Sequence, residues 1–362
     1  MRELGISVYP AKSSEEEDYR YIDKAFKYGF TRIFTNLISV ENDKALLERF
    51  KRVCLYAKSN KMEVIADINP EVLKNLGVSF EDIEFFYNLG LYGIRFDTGS
   101  GGFEESLMTY NPYNLKIEIN MSSGVKYMES IMEYKPNLEN LMGCHNFYPL
   151  RYTGISRKHF EKCSAAFKSY SIPTAAFVTS HSRATFGPWP DSDGLCTLEE
   201  HRNLPIETQA KDLFNTGLID TVIIGDCYAS EDELRALGSL DKNILSLNVE
   251  LEEGISNIEK KIVLEEPHFN RGDISEYLIR STLSRIKYKD NVFKVFNPVK
   301  QIKKGDILIP SSEYKRYAGE LQIALKDMEN SGKINVVAKI APEEVFLLDY
   351  IQPWQKFKLK LK

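Results

Sequence analysis

The sequence predicts an α/β protein, a (β/α)8 TIM barrel followed by a small, mainly β domain. Three observations carry this. Eight short β-rich runs each lead into a helical stretch within about 240 residues, the content of such a barrel. The turn after the first run, "YPAKSSEE", lacks the glycines common in the first turn of an open doubly wound sheet. After residue 242 strand-like runs follow one another, with Gly, Pro and Asn turns and few helices. The expected domains are therefore 1–242 and 243–362.

The expected strands, in order, are "LGISVY" (4–9), "RIFTNL" (32–37), "EVIADI" (63–68), "GIRFD" (93–97), "LKIEINMS" (115–122), "LMGCHNFY" (141–148), "TAAFVTS" (174–180) and "TVIIGD" (221–226). The first helix opens on a capping box, Ser14 with Glu17, and stops at Gly29. "NDKALLERFKRVCLYAKSN" follows the second strand and "SRKHFEKCSAAFKSY" the sixth. "SEDELRALGSL" follows the eighth and opens on a second capping box, Ser230 with Glu233.

Composition bounds the partners. The chain has 362 residues, 43% hydrophobic and 27% charged, enough to close a core without disulfides. A net charge of −5 gives no electrostatic case for nucleic acid or an anionic membrane, so an anionic ligand needs local cations. Five scattered cysteines, with no C-x-x-C, read as free buried thiols in a reducing compartment. "MRELGISVYPAKSSEEE" has no apolar run of signal length, and no run is long enough to span a bilayer. A cytoplasmic location is expected. The oligomeric state is not readable.

Function sits at the C-terminal ends of barrel strands, so strand ends give the candidate site. Alternation puts Glu118, Asn120 and Ser122 on one side of the fifth strand and Ile117, Ile119 and Met121 on the other. The polar set is expected to face the mouth. The same phase pairs Arg95 with Asp97 on the inside. Asp67 and Asp226 close the third and eighth strands, Asn36 closes the second, and "GCHNFY" adds His145, Asn146 and Tyr148. Glycines after Asp97, in "DTGSGG", would bring loop N–H groups close to a ligand. Arg95 with Glu118 also fits a structural ion pair, and Asp67 and Asp226 also fit loop-shaping roles. His159 and His201, in helical sequence, read as surface residues.

Paired carboxyls on neighbouring strand ends suit glycoside hydrolysis, where one protonates the leaving oxygen and the other attacks or activates water. Asp97 and Glu118 are the expected pair. Tyr148, Tyr9 or Trp189 would stack on sugar rings. The long loop 179–202 follows the seventh strand, a common phosphate-binding place in barrels. His181 and Arg183 there, and Arg151 after the sixth strand, are candidate phosphate partners. No cofactor is expected. Asp67, Asp97, Glu118, His145 and Asp226 could alternatively ligate a metal in a sugar-phosphate enzyme, though no H-x-H or H-E-x-x-H spacing supports it. A non-catalytic sugar-binding protein is the other alternative.

"MRELGISVYP", "GIRFDTG", "KIEINMS", "HNFYPLRYTGIS" and "RYAGELQIAL" together resemble the bacterial 6-phospho-N-acetylmuramidases, glycoside hydrolases long labelled outer-surface proteins. The resemblance runs nearly the full length. It implies a TIM barrel with a cyclophilin-like second domain. It implies a small phosphorylated disaccharide as substrate, N-acetylmuramic acid 6-phosphate linked β-1,4 to N-acetylglucosamine, cleaved in the cytoplasm during peptidoglycan recycling. Arg151, His181 and Arg183 are then the candidates for its phosphate and lactyl carboxylate. Arg316 and Tyr317 mark where the second domain would add to the site or cover it.

Overall fold

The computed structural model describes residues 2–38, 40, 43–124, 126–183, 185–190 and 192–362. The chain divides into two compact units, Met1–Leu240 and Asp241–Lys362.

The first unit is a closed barrel of eight parallel strands. They are β1 (Glu3–Ser7), β2 (Arg32–Asn36), β3 (Glu63–Ile68), β4 (Gly93–Phe96), β5 (Lys116–Asn120), β6 (Leu141–Cys144), β7 (Thr174–Val178) and β8 (Thr221–Ile224). Each pairs with the next, and β8 returns to β1 through Leu4 opposite Val222. Local chemistry sets the helix starts. Ser14 and Glu17 close a capping box on the helix Glu15–Lys27, and Ser230 and Glu233 do the same for Glu231–Gly238. Asp43 caps Lys44–Ser59, while Asn42, the first residue of that stretch, lies outside the described residues. Outward-facing strand residues such as Ile33, Val64, Ile94, Ile117 and Ile119 are buried in one core cluster with helix residues such as Ile22, Phe50 and Phe160.

The second unit holds β9 (Leu245–Leu251), β10 (His268–Phe269), β11 (Leu278–Ser281), β12 (Gln301–Ile302), β13 (Asp306–Pro310), β14 (Leu321–Ala324), β15 (Met328–Glu329), β16 (Ile334–Ile340) and β17 (Lys356–Leu361). Seven form one sheet in the order β10-β17-β9-β16-β13-β14-β11, and β12 pairs with β15. The Arg271 amide donates to the Arg280 carbonyl, bringing the two edges of the sheet together. Its own core includes Leu247, Val249, Ile307, Ile323 and Phe357.

All five cysteines are buried and free. Among the described residues no helix is long and apolar enough to cross a membrane.

Candidate active site

The inward set on β2 is Arg32, Phe34 and Asn36, alternating with outward Ile33 and Thr35. The same alternation turns Asp67 inward on β3, Arg95 on β4 and Glu118 on β5. Ladder pairing makes one row of these: Asn36 opposite Asp67, Asp67 opposite Arg95, Arg95 opposite Glu118. Barrel strands tilt, so a hydrogen-bonded row runs obliquely to the axis and changes depth. Exposure follows that descent: Asn36 and Asp67 are 9% exposed, Arg95 3% and Glu118 0%.

The upper part of the row opens into a cleft of about 450 Å³. Asn36, Asp67, Arg95 and Asp97 form its polar wall, with Asn146 beside them. Phe34, Phe147 and Phe177 form the apolar side, their rings mutually edge-on at 5.1–5.9 Å between centroids. Trp189, 46% exposed, and Pro149 complete the lining.

Arg95 is the hub. Its Nη1 donates to Asp67 Oδ1 at 2.6 Å and lies 3.8 Å from Asp97 Oδ1. Its Nη2 donates to Asn146 Oδ1. Burial alone would weaken its charge, but the acids around it, Asp67 first, hold its pKa above the ordinary value. Burial pushes the Asp67 carboxyl up to about 6, outweighing the pull of Arg95. Asp97 is the accessible acid, its side chain 44% exposed against 12% for Asp67. Asn120 orients it, donating to both its carbonyl and Oδ1 at 3.1 Å.

Glu118 does not reach the mouth. It faces inward as expected, but one level down, where the buried Arg32 guanidinium pairs with it. Arg95 Nε lies 3.9 Å from its Oε1. The tilt of the barrel lowers Glu118 out of the cleft, and sequence alternation carries no depth.

Several other expected site residues lie elsewhere. His145 points outward, because alternation after Cys144 turns its neighbour Asn146 inward instead. It is fully buried between the Ser122 and Ser164 hydroxyls, stacked on Phe160, and burial lowers its pKa to about 3. Tyr9 is buried, and its hydroxyl donates to the Gly225 carbonyl, so it offers no face to a sugar. Tyr148 is half-buried beside the cleft, with Asp97 among the charges acting on it.

Asp226 is spent on the barrel rim. It accepts from Thr179 Oγ1 at 2.7 Å and the Ser180 amide at 2.9 Å, and burial raises its pKa to about 6. Glu233 accepts from the His181 amide at 2.9 Å. The two amides that would greet a phosphate after β7 thus already hold carboxylates. His181 Nε2 donates to the Arg202 carbonyl at 2.9 Å. Arg151 is exposed and pairs with Asp193 at 3.1 Å. Arg183 is exposed and makes no ion pair among the described residues. In its loop, Ala184 and Asp191 lie outside the described residues.

The glycine-rich loop after Asp97 is filled from within. The buried Glu105 carboxylate accepts from the Ser100 amide at 2.5 Å and the Gly102 amide at 2.8 Å, so these N–H groups are closed to a ligand. Gly99 is required by packing. A Cβ there would lie 1.4 Å from the Tyr127 hydroxyl.

The two histidines read as surface residues are not. His159 is half-buried and donates from Nε2 to the Ser122 carbonyl at 2.7 Å. His201 is fully buried, 2.7 Å from Asp212. Among the described residues, Glu200, His201 and Asp212 are the one trio of His, Cys, Asp or Glu close enough to share an ion. Arg157 pairs with both acids there. The five residues considered above as metal ligands do not converge.

Arg32, Phe34 and Phe177 were missed at the sequence level. The alternation that turned Glu118 inward also applies to "RIFTN" and would have found the first two.

Comparison with known proteins covers both units. A family model for "6-phospho-N-acetylmuramidase, N-terminal" matches residues 4–239, and one for "6-phospho-N-acetylmuramidase, C-terminal" matches residues 245–360. No curated protein matches. Among solved structures, an uncharacterised B. cereus protein is 48% identical over 99% of both chains, with a TM-score of 0.92. A conserved Enterococcus faecalis protein of unknown function is 27% identical over 99% of this chain and 96% of that one, with a TM-score of 0.74.

Proposed function

The chain belongs to the 6-phospho-N-acetylmuramidase family, a family of glycosidases, and from that premise we propose that it hydrolyses the β-1,4 bond of N-acetylmuramic acid 6-phosphate–N-acetylglucosamine in cytoplasmic peptidoglycan recycling. The observation that carries the proposal is the coupling of two unlike carboxyls, Asp67 and Asp97, through Arg95 in a cleft walled by aromatic rings.

Glycoside cleavage needs one carboxyl that keeps its proton and one that carries charge. Asp67 is suited to the first role, since burial holds its pKa up to about 6. It protonates the leaving oxygen. Asp97, more exposed and oriented by Asn120, faces the anomeric carbon as nucleophile, or steadies the substrate's acetamido group if that group attacks. Arg95 holds the pair together and limits their repulsion. Glu118, outside the cleft, serves as the counter-charge beneath Arg95 and Arg32. Trp189 and the three phenylalanines supply a surface for the sugar rings. Asp67 thus replaces Glu118 in the catalytic pair. Asn36 and Asn146 remain substrate-contact candidates on the cleft wall, and Arg183 remains a cation open to the phosphate.

The test is turnover of the phosphorylated and unphosphorylated disaccharides by wild type and Asp97→Asn. Selective cleavage of the phosphorylated substrate, lost in the variant, is expected. Equal rates on both substrates would remove the phosphate requirement, and full activity in the variant would remove Asp97 from the chemistry.

A further inference from the structure

The block "RYAGELQIAL" organises a charged cluster within the second unit. Glu320, fully buried, accepts from Arg280 Nε at 2.8 Å and from Gln322 Nε2 at 3.0 Å. Arg285 Nη1 lies 2.8 Å from its other oxygen. One buried carboxylate needs one guanidinium to balance it. Here two share it, which leaves a positive charge over. The other acid acting on Arg280, Asp273, is bound by both ends of the Arg271 guanidinium at 2.6 Å. It is therefore already neutralised.

The surplus charge sits against an aromatic face. The Arg280 and Arg285 guanidinium carbons lie 5.9 and 5.3 Å from the Tyr317 ring centroid, and Tyr317 is 43% exposed. Arg285 makes no other ion pair and no hydrogen bond among the described residues. Its remaining N–H groups are free to donate. The two arginines come from β11 and from the short helix Leu283–Lys287, elements that fix their spacing before any ligand arrives.

We propose that Arg280, Arg285 and Tyr317 form an oxyanion-binding site on the second unit that takes the phosphate monoester of a small sugar. Guanidinium groups bind phosphate in a planar, two-pronged manner, and an exposed tyrosine face accepts a sugar ring. The choice of a sugar phosphate rests on the function proposed above, whose substrate and one of whose products belong to that class. Glu320 is the positioning residue, holding both arginines from below.

The experiment is calorimetric titration of the full chain with inorganic phosphate, D-lactate, N-acetylmuramic acid and its 6-phosphate. Wild type, Arg285→Gln, Arg285→Lys, Tyr317→Ala and Asp97→Asn are compared, with melting curves to confirm that each folds. Arg285→Gln is expected to weaken phosphate binding about tenfold or more, the worth of a charge-assisted hydrogen bond. Arg285→Lys should fall between, Tyr317→Ala should weaken the sugar phosphate more than phosphate, and Asp97→Asn should bind phosphate normally. Unchanged phosphate affinity in Arg285→Gln overturns the site. Loss of lactate binding alone in that variant overturns the phosphate assignment. A wild type that binds phosphate through Arg285 yet fails to cleave the disaccharide refutes the proposed function and leaves this site standing.

Discussion

Asp67 and Asp97 share one nitrogen: Arg95 Nη1 lies 2.6 Å from the first carboxylate and 3.8 Å from the second. That relation couples their charges and limits their separation. Most of what the cleft is expected to do follows from it.

The pH dependence follows from Asp67. As the acid it must be protonated, and its pKa stands at about 6. The value of kcat/KM should therefore fall as pH rises through about 6, and Asp67→Asn should lower it by about 10²-fold or more. The same shift bears on stability. The folded carboxyl has a higher pKa than the ordinary 3.8, so its contribution is complete below about 4 and is lost as pH rises through about 6. Asp18 and Asp226, also raised to about 6 by burial, act with the same sign. His145, held down to about 3, acts with the opposite sign, so the check is the difference between variants: in denaturant titrations the stability of wild type relative to Asp67→Asn should fall as pH rises from about 4 to about 6.

Stereochemistry follows from the shared nitrogen. With Arg95 Nη1 at 2.6 and 3.8 Å from the two Oδ1 atoms, those oxygens are nearer together than the lower end of the inverting range, about 6.5 Å. Retention is expected, by attack of Asp97 or of the acetamido group. Proton NMR of the first-formed sugar phosphate should show the β-anomer, and an initial α-anomer would refute the arrangement.

Glu118 should matter more to folding than to chemistry. Glu118→Gln leaves the Arg32 guanidinium, 1% exposed, without its counter-charge. A loss of about 3–5 kcal/mol is expected, the cost of breaking a buried pair from one side. Turnover per folded molecule should stay within about tenfold of wild type, whereas Asp97→Asn should lose about 10² or more. A stable but inactive Glu118→Gln would return Glu118 to the catalytic pair.

The loop that carries Asp97 is seated by Tyr127 over Gly99. Gly99→Ala puts a methyl 1.4 Å from the tyrosine hydroxyl and must displace the ring. A loss of about 1–3 kcal/mol is expected, with reduced kcat as Asp97 shifts. Adding Tyr127→Ala should recover part of both losses if the clash is the cause. No recovery would show that Gly99 acts through its backbone.

Local features were legible in the sequence because their causes are local. Ser14 with Glu17 and Ser230 with Glu233 cap helices through residues three apart. Eight apolar runs alternating with helical stretches fit a barrel, and they close as one. The phase of "KIEIN" turned Glu118 and Asn120 inward, because side chains alternate along any strand. What tertiary structure alone decided was depth and partnership. The oblique row from Asn36 to Glu118 arises from strand tilt, a property of the closed ring. Glu105 filling the glycine loop, Asp226 and Glu233 occupying the rim amides, and Arg32 claiming Glu118 across the barrel are contacts between groups whose distances only the folded chain sets. A carboxylate's chemistry depends on which charges lie within a few ångström of it, and strand order leaves that distance open until the barrel closes.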